Sequence, residues 1–323
     1  MAATCSVAGT EVPAVGLGGA RLSLGAHRPD ERLAIRTVHA ALDRGVRLID
    51  TADVYCPGAG AEGHNERLFA RALQSWSGDT DQVLVVTKGG QHWEGSEARF
   101  DGSPARLRAA CEASLVALGV DSIALYLLHR LPGAAGAAAL AGRRLDELAA
   151  SLGTLAALRA EGKVRSIGLS NVSVAELEAL GSDLPELAAL ENPCSPALPG
   201  AGAEIAWCAE RSAAFLAWSP LAGIQGASAT RPPATLAPSP LGEALVGLAR
   251  ERGISLQRAA LAWLLARSPR LVALVGSTRP ETVLDSFAAT ELVLAPDELE
   301  ALGLRDEPVT TVLRTPGPAN RHC

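Results

Sequence analysis

Alternation constrains this chain more than any other feature. Short, uniformly apolar runs are separated by longer segments with helical periodicity. The runs 46–50 (VRLID), 83–88 (VLVVTK), 123–129 (IALYLLH), 164–170 (VRSIGLS), 215–218 (FLAW) and 271–277 (LVALVGS) lack polar alternation. Strands of that kind are covered on both faces, as in parallel sheets. The segments 13–19 and 186–192 are weaker strand candidates that bring the count to eight. Helical periodicity covers 34–43, 66–74, 105–118, 143–160, 174–180, 241–252 and 281–289. The clearest instance is 143–160, where Leu145, Leu148, Leu152, Leu155 and Leu158 share one face and Gly162 supplies a stop. Ser255 reads as the N-cap of a further helix running to Ala266.

Repeated strand–helix units imply right-handed crossovers and a parallel sheet, either open and doubly wound or closed into a (β/α)8 barrel. An open dinucleotide-binding sheet calls for a glycine fingerprint after its first strand. Gly16-Leu17-Gly18-Gly19-Ala20-Arg21 has its first two glycines but Arg21 in place of the third. The expected fold is therefore an α/β (β/α)8 TIM barrel, a single domain over residues 1–323. The loops 57–64, 91–102, 131–142 and 222–240 are expected to build the mouth of its pocket.

Composition narrows the partners. The chain of 323 residues is 48% hydrophobic and 20% charged, which excludes a disordered protein. A net charge of −6 argues against nucleic acid, whose phosphates need a basic face. No apolar stretch reaches the roughly 18 residues of a membrane span. The opening MAATCSVAGTEV has no basic start and no apolar core, so no signal peptide is expected. The six cysteines form no CxxC pair, and reduced thiols in a cytoplasmic protein are expected.

Barrel enzymes place their chemistry at the C-terminal ends of strands. Here the second strand ends in Asp50-Thr51-Ala52-Asp53-Val54-Tyr55, the third in Thr87-Lys88 and the fourth in His129-Arg130. Individually, each has a bland explanation: a cap, a solvated lysine, a structural histidine or a packing aromatic. Together they form a general acid. A phenol has a pKa near 10, a nearby ammonium lowers it, a carboxylate orients that ammonium, and a histidine directs the substrate oxygen. No metal-ligand cluster accompanies them.

These residues resemble the aldo-keto reductase family over about 10–305. The likeness rests on Asp50-Thr51-Ala52-x-x-Tyr55, Thr87-Lys88, Leu127-Leu128-His129-Arg130, the stretch from Leu155 to Asn171, Ala217-Trp218-Ser219-Pro220-Leu221 and Gly276-Ser277-Thr278-Arg279-Pro280. The resemblance implies hydride transfer between NADP(H), rather than NAD(H), and an aldehyde or ketone. It makes Tyr55 the proton donor, tuned by Lys88 and Asp50, with His129 orienting the carbonyl. Ser170 and Asn171 would hold the nicotinamide carboxamide and Trp218 would stack on the ring. Ser219, Pro220 and Leu221 would approach the pyrophosphate, and Ser277, Thr278 and Arg279 the 2′-phosphate. Gly19, Gly276, Thr282 and Asp285 complete the expected cofactor set.

Three positions depart from the family pattern. Glu191 stands where a glutamine usually faces the carboxamide, Cys194 replaces a common tyrosine, and Asp285-Ser286 replaces a Glu-Asn pair. His92 and Trp93 are pocket candidates. The stretch 56–66 either shapes the substrate mouth or is a surface loop with Asn65 as the next helix's N-cap. Cys56 and Cys194 are candidates for positions near the mouth, with no basic residue beside either in sequence. Two other readings stay open: an NADP(H)-binding regulatory or scaffold protein with slow turnover, as for channel subunits related to this family, and a Schiff-base aldolase using Lys88.

Overall fold

A computed structural model describes residues 2–131, 143–222 and 239–304. Eight parallel strands follow one another around a closed barrel in chain order: Val15–Gly18, Leu48–Asp50, Leu84–Gly89, Ile123–His129, Val164–Ser170, Ala189–Pro193, Ala214–Trp218 and Leu271–Gly276. The eighth pairs back onto the first, with Gly276 opposite Gly18. All eight runs expected from the sequence are strands, with bounds that shift by at most three residues. The expected loops 131–142 and 222–240 lie almost wholly outside the described residues.

Uniformly apolar strands give the barrel two cores. Leu48, Val86, Leu125, Leu127, Leu216 and Leu274 fill its interior, while the alternate residues Ile49, Tyr126, Leu128, Ile167 and Leu169 face the helices. Helix Arg143–Ala160 buries Leu148, Leu152, Leu155 and Leu158 against that outer layer, as its periodicity predicts. Each buried leucine contributes about 1.5–3 kcal/mol.

Two hairpins were not legible in the sequence. Thr4–Val7 pairs antiparallel with Thr10–Pro13, and Cys5, Val7 and Val12 pack into the barrel interior from the end opposite the strand C-termini. Gln91–Glu94 pairs with Glu97–Phe100 inside the expected loop 91–102. The helix expected near residue 66 begins at His64 instead. Its N-cap is Gly63, whose φ of 75° suits glycine, so Asn65 is not the cap. Asn65 is buried inside the first turn, where Nδ2 donates to the Gly19 carbonyl (3.0 Å) and Oδ1 accepts from the Thr51 hydroxyl (2.7 Å).

Candidate active site

Strand register brings the predicted residues to one rim. Asp50 lies opposite Gly18, His129 opposite Ser170, and Ser170 opposite Glu191. Asp50, Lys88, Glu191 and Trp218 therefore project from the C-terminal ends of four different strands.

Lys88 is the hub, and its side chain is fully buried. Its Nζ donates to Asp50 Oδ1, to the Thr51 carbonyl at 2.9 Å and to Tyr55 Oη at 3.4 Å. It also lies 3.4 Å from Glu191 Oε1. The Tyr55 and His129 rings meet edge to face, with centroids 5.8 Å apart.

Electrostatics here differ from the simple sequence argument in one respect. Burial raises the Tyr55 phenol above its ordinary value and outweighs the lowering by Lys88, while the Asp50 and Glu191 carboxyls raise it further. The sequence argument counted one carboxylate against the ammonium; the site contains two. Tyr55 thus holds its proton firmly. Burial, then the Lys88 charge, drives the His129 imidazolium well below the ordinary histidine range, so His129 is neutral at pH 7. Burial and then the Asp50 charge push Glu191 up to about 8. Lys88 is raised by Asp50, Glu191 and Tyr55 against the opposing effect of burial, and stays charged.

A cleft of about 1080 Å³ opens above this cluster. Asp50, Tyr55 and His129 line it, together with Ser170, Asn171, Glu191, Trp218, Ser219, Pro220, Leu221, Gly276, Ser277, Thr278, Arg279, Thr282 and Asp285. Gly19 does not line it, although Gly18, Ala20 and Arg21 do. Gly19 instead sits so close to Asn65 and Phe69 that a Cβ would overlap both. Arg21, His27, Gln91, Gln257 and Glu281 also line the cleft and were missed. Two of them carried a signal: Arg21 spoils the glycine fingerprint, and Gln91 opens the loop 91–102 expected at the mouth.

Two cleft residues carry backbone strain. Asn171 and Ser219 have φ of 59° and 50°, in the left-handed region, directly after their strands. The Asn171 side chain is held at both ends: Nδ2 donates to the Arg130 carbonyl (2.6 Å) and Oδ1 accepts from Trp218 Nε1 (3.2 Å). At the cleft's far end Ser277 accepts from the Arg279 amide (3.1 Å) and donates to its carbonyl (2.8 Å), bracing the entry to helix Pro280–Phe287. Asp285 is neutralised by Arg258 at 2.6 Å and accepts from Ser255 at 2.5 Å.

Strand alternation separates the two pocket candidates. Trp93 lines the main cleft and donates from Nε1 to the Val54 carbonyl (3.0 Å). His92 lines a second cavity of about 250 Å³, with Asp53, Glu66, Arg67 and Arg106. Burial raises both the Asp53 and Glu66 carboxyls there. None of the residues 56–66 lines the main cleft, and neither does Cys194. Cys194 does have a basic neighbour, Arg267, whose Nη1 donates to its Sγ at 3.0 Å from 73 positions away.

Comparison with known proteins agrees with this geometry. The family model of the Aldo/keto reductase family matches residues 14–303. A 6-dehydroglucose reductase of Novosphingobium aromaticivorans is 30% identical over 293 residues, 88% of each chain. Among solved structures, a glycerol dehydrogenase of Gluconobacter oxydans superposes with a TM-score of 0.75 at 26% identity, covering 99% of both chains. An aldo-keto reductase of Klebsiella pneumoniae in complex with NADPH gives a TM-score of 0.69 at 26% identity over 94% of both. With a closed eight-stranded barrel, a buried lysine hub at its rim and a family match across nearly its whole length, the chain belongs to the aldo/keto reductase family.

Proposed function

We propose that this chain, acting as one domain, reversibly reduces aldehydes or ketones with NADPH, using Tyr55 as the general acid and base. The observation that carries the reading is the Tyr55 phenol on the cleft floor, 3.4 Å from a fully buried, charged Lys88 and edge-on to a neutral His129.

The residues present fit NADP(H). Glu191, in the cleft lining, leaves Oε2 buried without a hydrogen-bond partner among the described residues. Trp218 offers an indole held in place by Asn171. Thr278 and Arg279 present a hydroxyl and a guanidinium at the far end, beside Ser277, a donor set that suits a phosphate dianion. The Arg258–Asp285 pair supports a phosphate there too, because it balances one carboxylate charge of the cleft lining.

When bound, NADPH supplies the hydride. Tyr55 keeps its proton up to high pH and gives it to the carbonyl oxygen as charge develops there. Lys88 stabilises the phenolate that results, Asp50 and the Thr51 carbonyl fix Lys88, and neutral His129 orients the substrate oxygen. Val54, Trp93, Ala98 and Leu131 with the neutral Gln91 form the nearby lining, which favours an uncharged carbonyl compound.

A panel of aldehydes and ketones, followed by NADPH absorbance, tests the reading. Wild-type protein should turn over at least one of them, and Tyr55→Phe should lose activity by about 10²–10⁴-fold while still binding NADPH. Retained turnover in Tyr55→Phe would remove Tyr55 from its role.

A further inference from the structure

The cluster around Lys88 holds one carboxyl more than its charge balances. Asp50 bonds Lys88 Nζ directly and Glu191 Oε1 lies 3.4 Å from it, with both carboxyl side chains at least nine-tenths buried. Glu191 is faced by Asp50 from the second strand, Lys88 from the third, and Tyr55 from the loop after the second. His129, whose ring packs on Tyr55, is neutral. The flanking strands place only Ser170 and Leu216 beside it in register.

Two buried carboxylates do not both stay ionised beside one ammonium. Asp50 is the ion-pair partner, and the more distant Glu191 keeps its proton. Burial and Asp50 hold that acid near the edge of physiological pH, at about 8. Its Oε2 is buried with no hydrogen-bond partner among the described residues, and Glu191 belongs to the cleft lining.

Resting on the proposal that NADP(H) fills this cleft, the geometry points to Glu191 as a proton-coupled selector of the cofactor's redox state. It stays a neutral acid beside NADPH and releases its proton to solvent when NADP+ binds. The balance is one proton released per NADP+ bound, with no electron moved. The reason is charge. The oxidised nicotinamide ring is cationic and the reduced ring is not, so only the oxidised cofactor stabilises a carboxylate at this position. A glutamine has neither a proton to lose nor a charge to gain.

The sign follows from linkage. Glu191 titrates at lower pH in the NADP+ complex than in the NADPH complex. Preference for NADP+ is therefore lowest below both values, rises between them and levels off above both. Raising the pH turns the protein toward alcohol oxidation.

Dissociation constants for NADPH and NADP+ from about pH 6 to about pH 9, on wild type and Glu191→Gln, test this. In wild type the affinity ratio should shift toward NADP+ by about tenfold for each unit separating the two titrations. In Glu191→Gln the ratio should be flat, since the 2′-phosphate titrates alike in both cofactors and cancels. Calorimetry of wild type in two buffers of different protonation enthalpy should show more proton release with NADP+ than with NADPH, and this needs no variant. Equal proton release for the two cofactors, or an equal slope in Glu191→Gln, overturns the selector role while leaving the reductase reading intact. Failure of either cofactor to bind at any pH overturns the reductase reading and this inference with it.

Discussion

Trp218 Nε1 donates to Asn171 Oδ1 at 3.2 Å, tying the end of the seventh barrel strand to the residue that follows the fifth. The bond spans 47 positions of sequence and fixes an indole in the wall of the cleft. It is made from a backbone with φ of 59°, which asparagine and glycine tolerate better than other residues.

This relationship separates two effects of mutation. Asn171→Gly and Asn171→Ala both free Trp218, and both should weaken NADPH binding to a similar extent by fluorescence titration. Only alanine adds backbone strain, so Asn171→Ala should unfold about 1 kcal/mol more easily than Asn171→Gly in urea.

Asp50 and Lys88 should not be equivalent in kinetics. Lys88→Met removes the cation beside Tyr55 and should lower kcat/KM by about 10²–10⁴-fold. Asp50→Asn leaves Glu191 Oε1 3.4 Å from Lys88, and without the Asp50 charge Glu191 ionises in its place. The Asp50→Asn loss should thus be clearly smaller than the Lys88→Met loss in steady-state assays.

Glu191 makes stability depend on pH in a defined direction. Its folded value of about 8 lies above that of an unfolded glutamate, about 4.3. Its contribution is complete below about pH 4.3 and is lost as pH rises toward 8. Glu191→Gln cannot titrate, so denaturant melts at pH 5 and pH 8 should show the variant gaining on wild type at the higher pH, by an amount on the order of a few kcal/mol.

At the far end of the cleft, Arg279→Ala should weaken NADPH by about 1.5–3 kcal/mol and leave NADH affinity unchanged. Arg258→Ala should also weaken NADPH, because it frees the Asp285 carboxylate now paired at 2.6 Å. Adding Asp285→Asn should restore much of that loss, and calorimetric titration of the three proteins measures it.

Trp93→Ala should raise KM for bulky carbonyl substrates while the NADPH dissociation constant stays the same. Trp93 is anchored to the Val54 carbonyl, next to the Tyr55 side of the cleft. His92→Ala, on the other face of the same hairpin strand, should alter neither constant.

The sequence alone determined the barrel and the identity of the residues at its rim. Uniformly apolar strands and helices with a single apolar stripe are local patterns, and a strand's end marks where its last polar residue projects. Asp50, Lys88 and His129 were legible for that reason, while Glu191 and Trp218 were legible through the family resemblance. Tertiary structure decided everything that depends on contact between distant segments. It put the Thr4–Val7 hairpin into the barrel floor, turned Asn65 from an expected cap into a buried bridge to Gly19, and set Arg267 on Cys194. It also buried the Tyr55 phenol and brought two carboxyls to one lysine; burial above all reversed the expected effect on Tyr55. Residue types are written in the chain, but desolvation and charge balance belong to the neighbourhood, and that neighbourhood exists only once the barrel has closed.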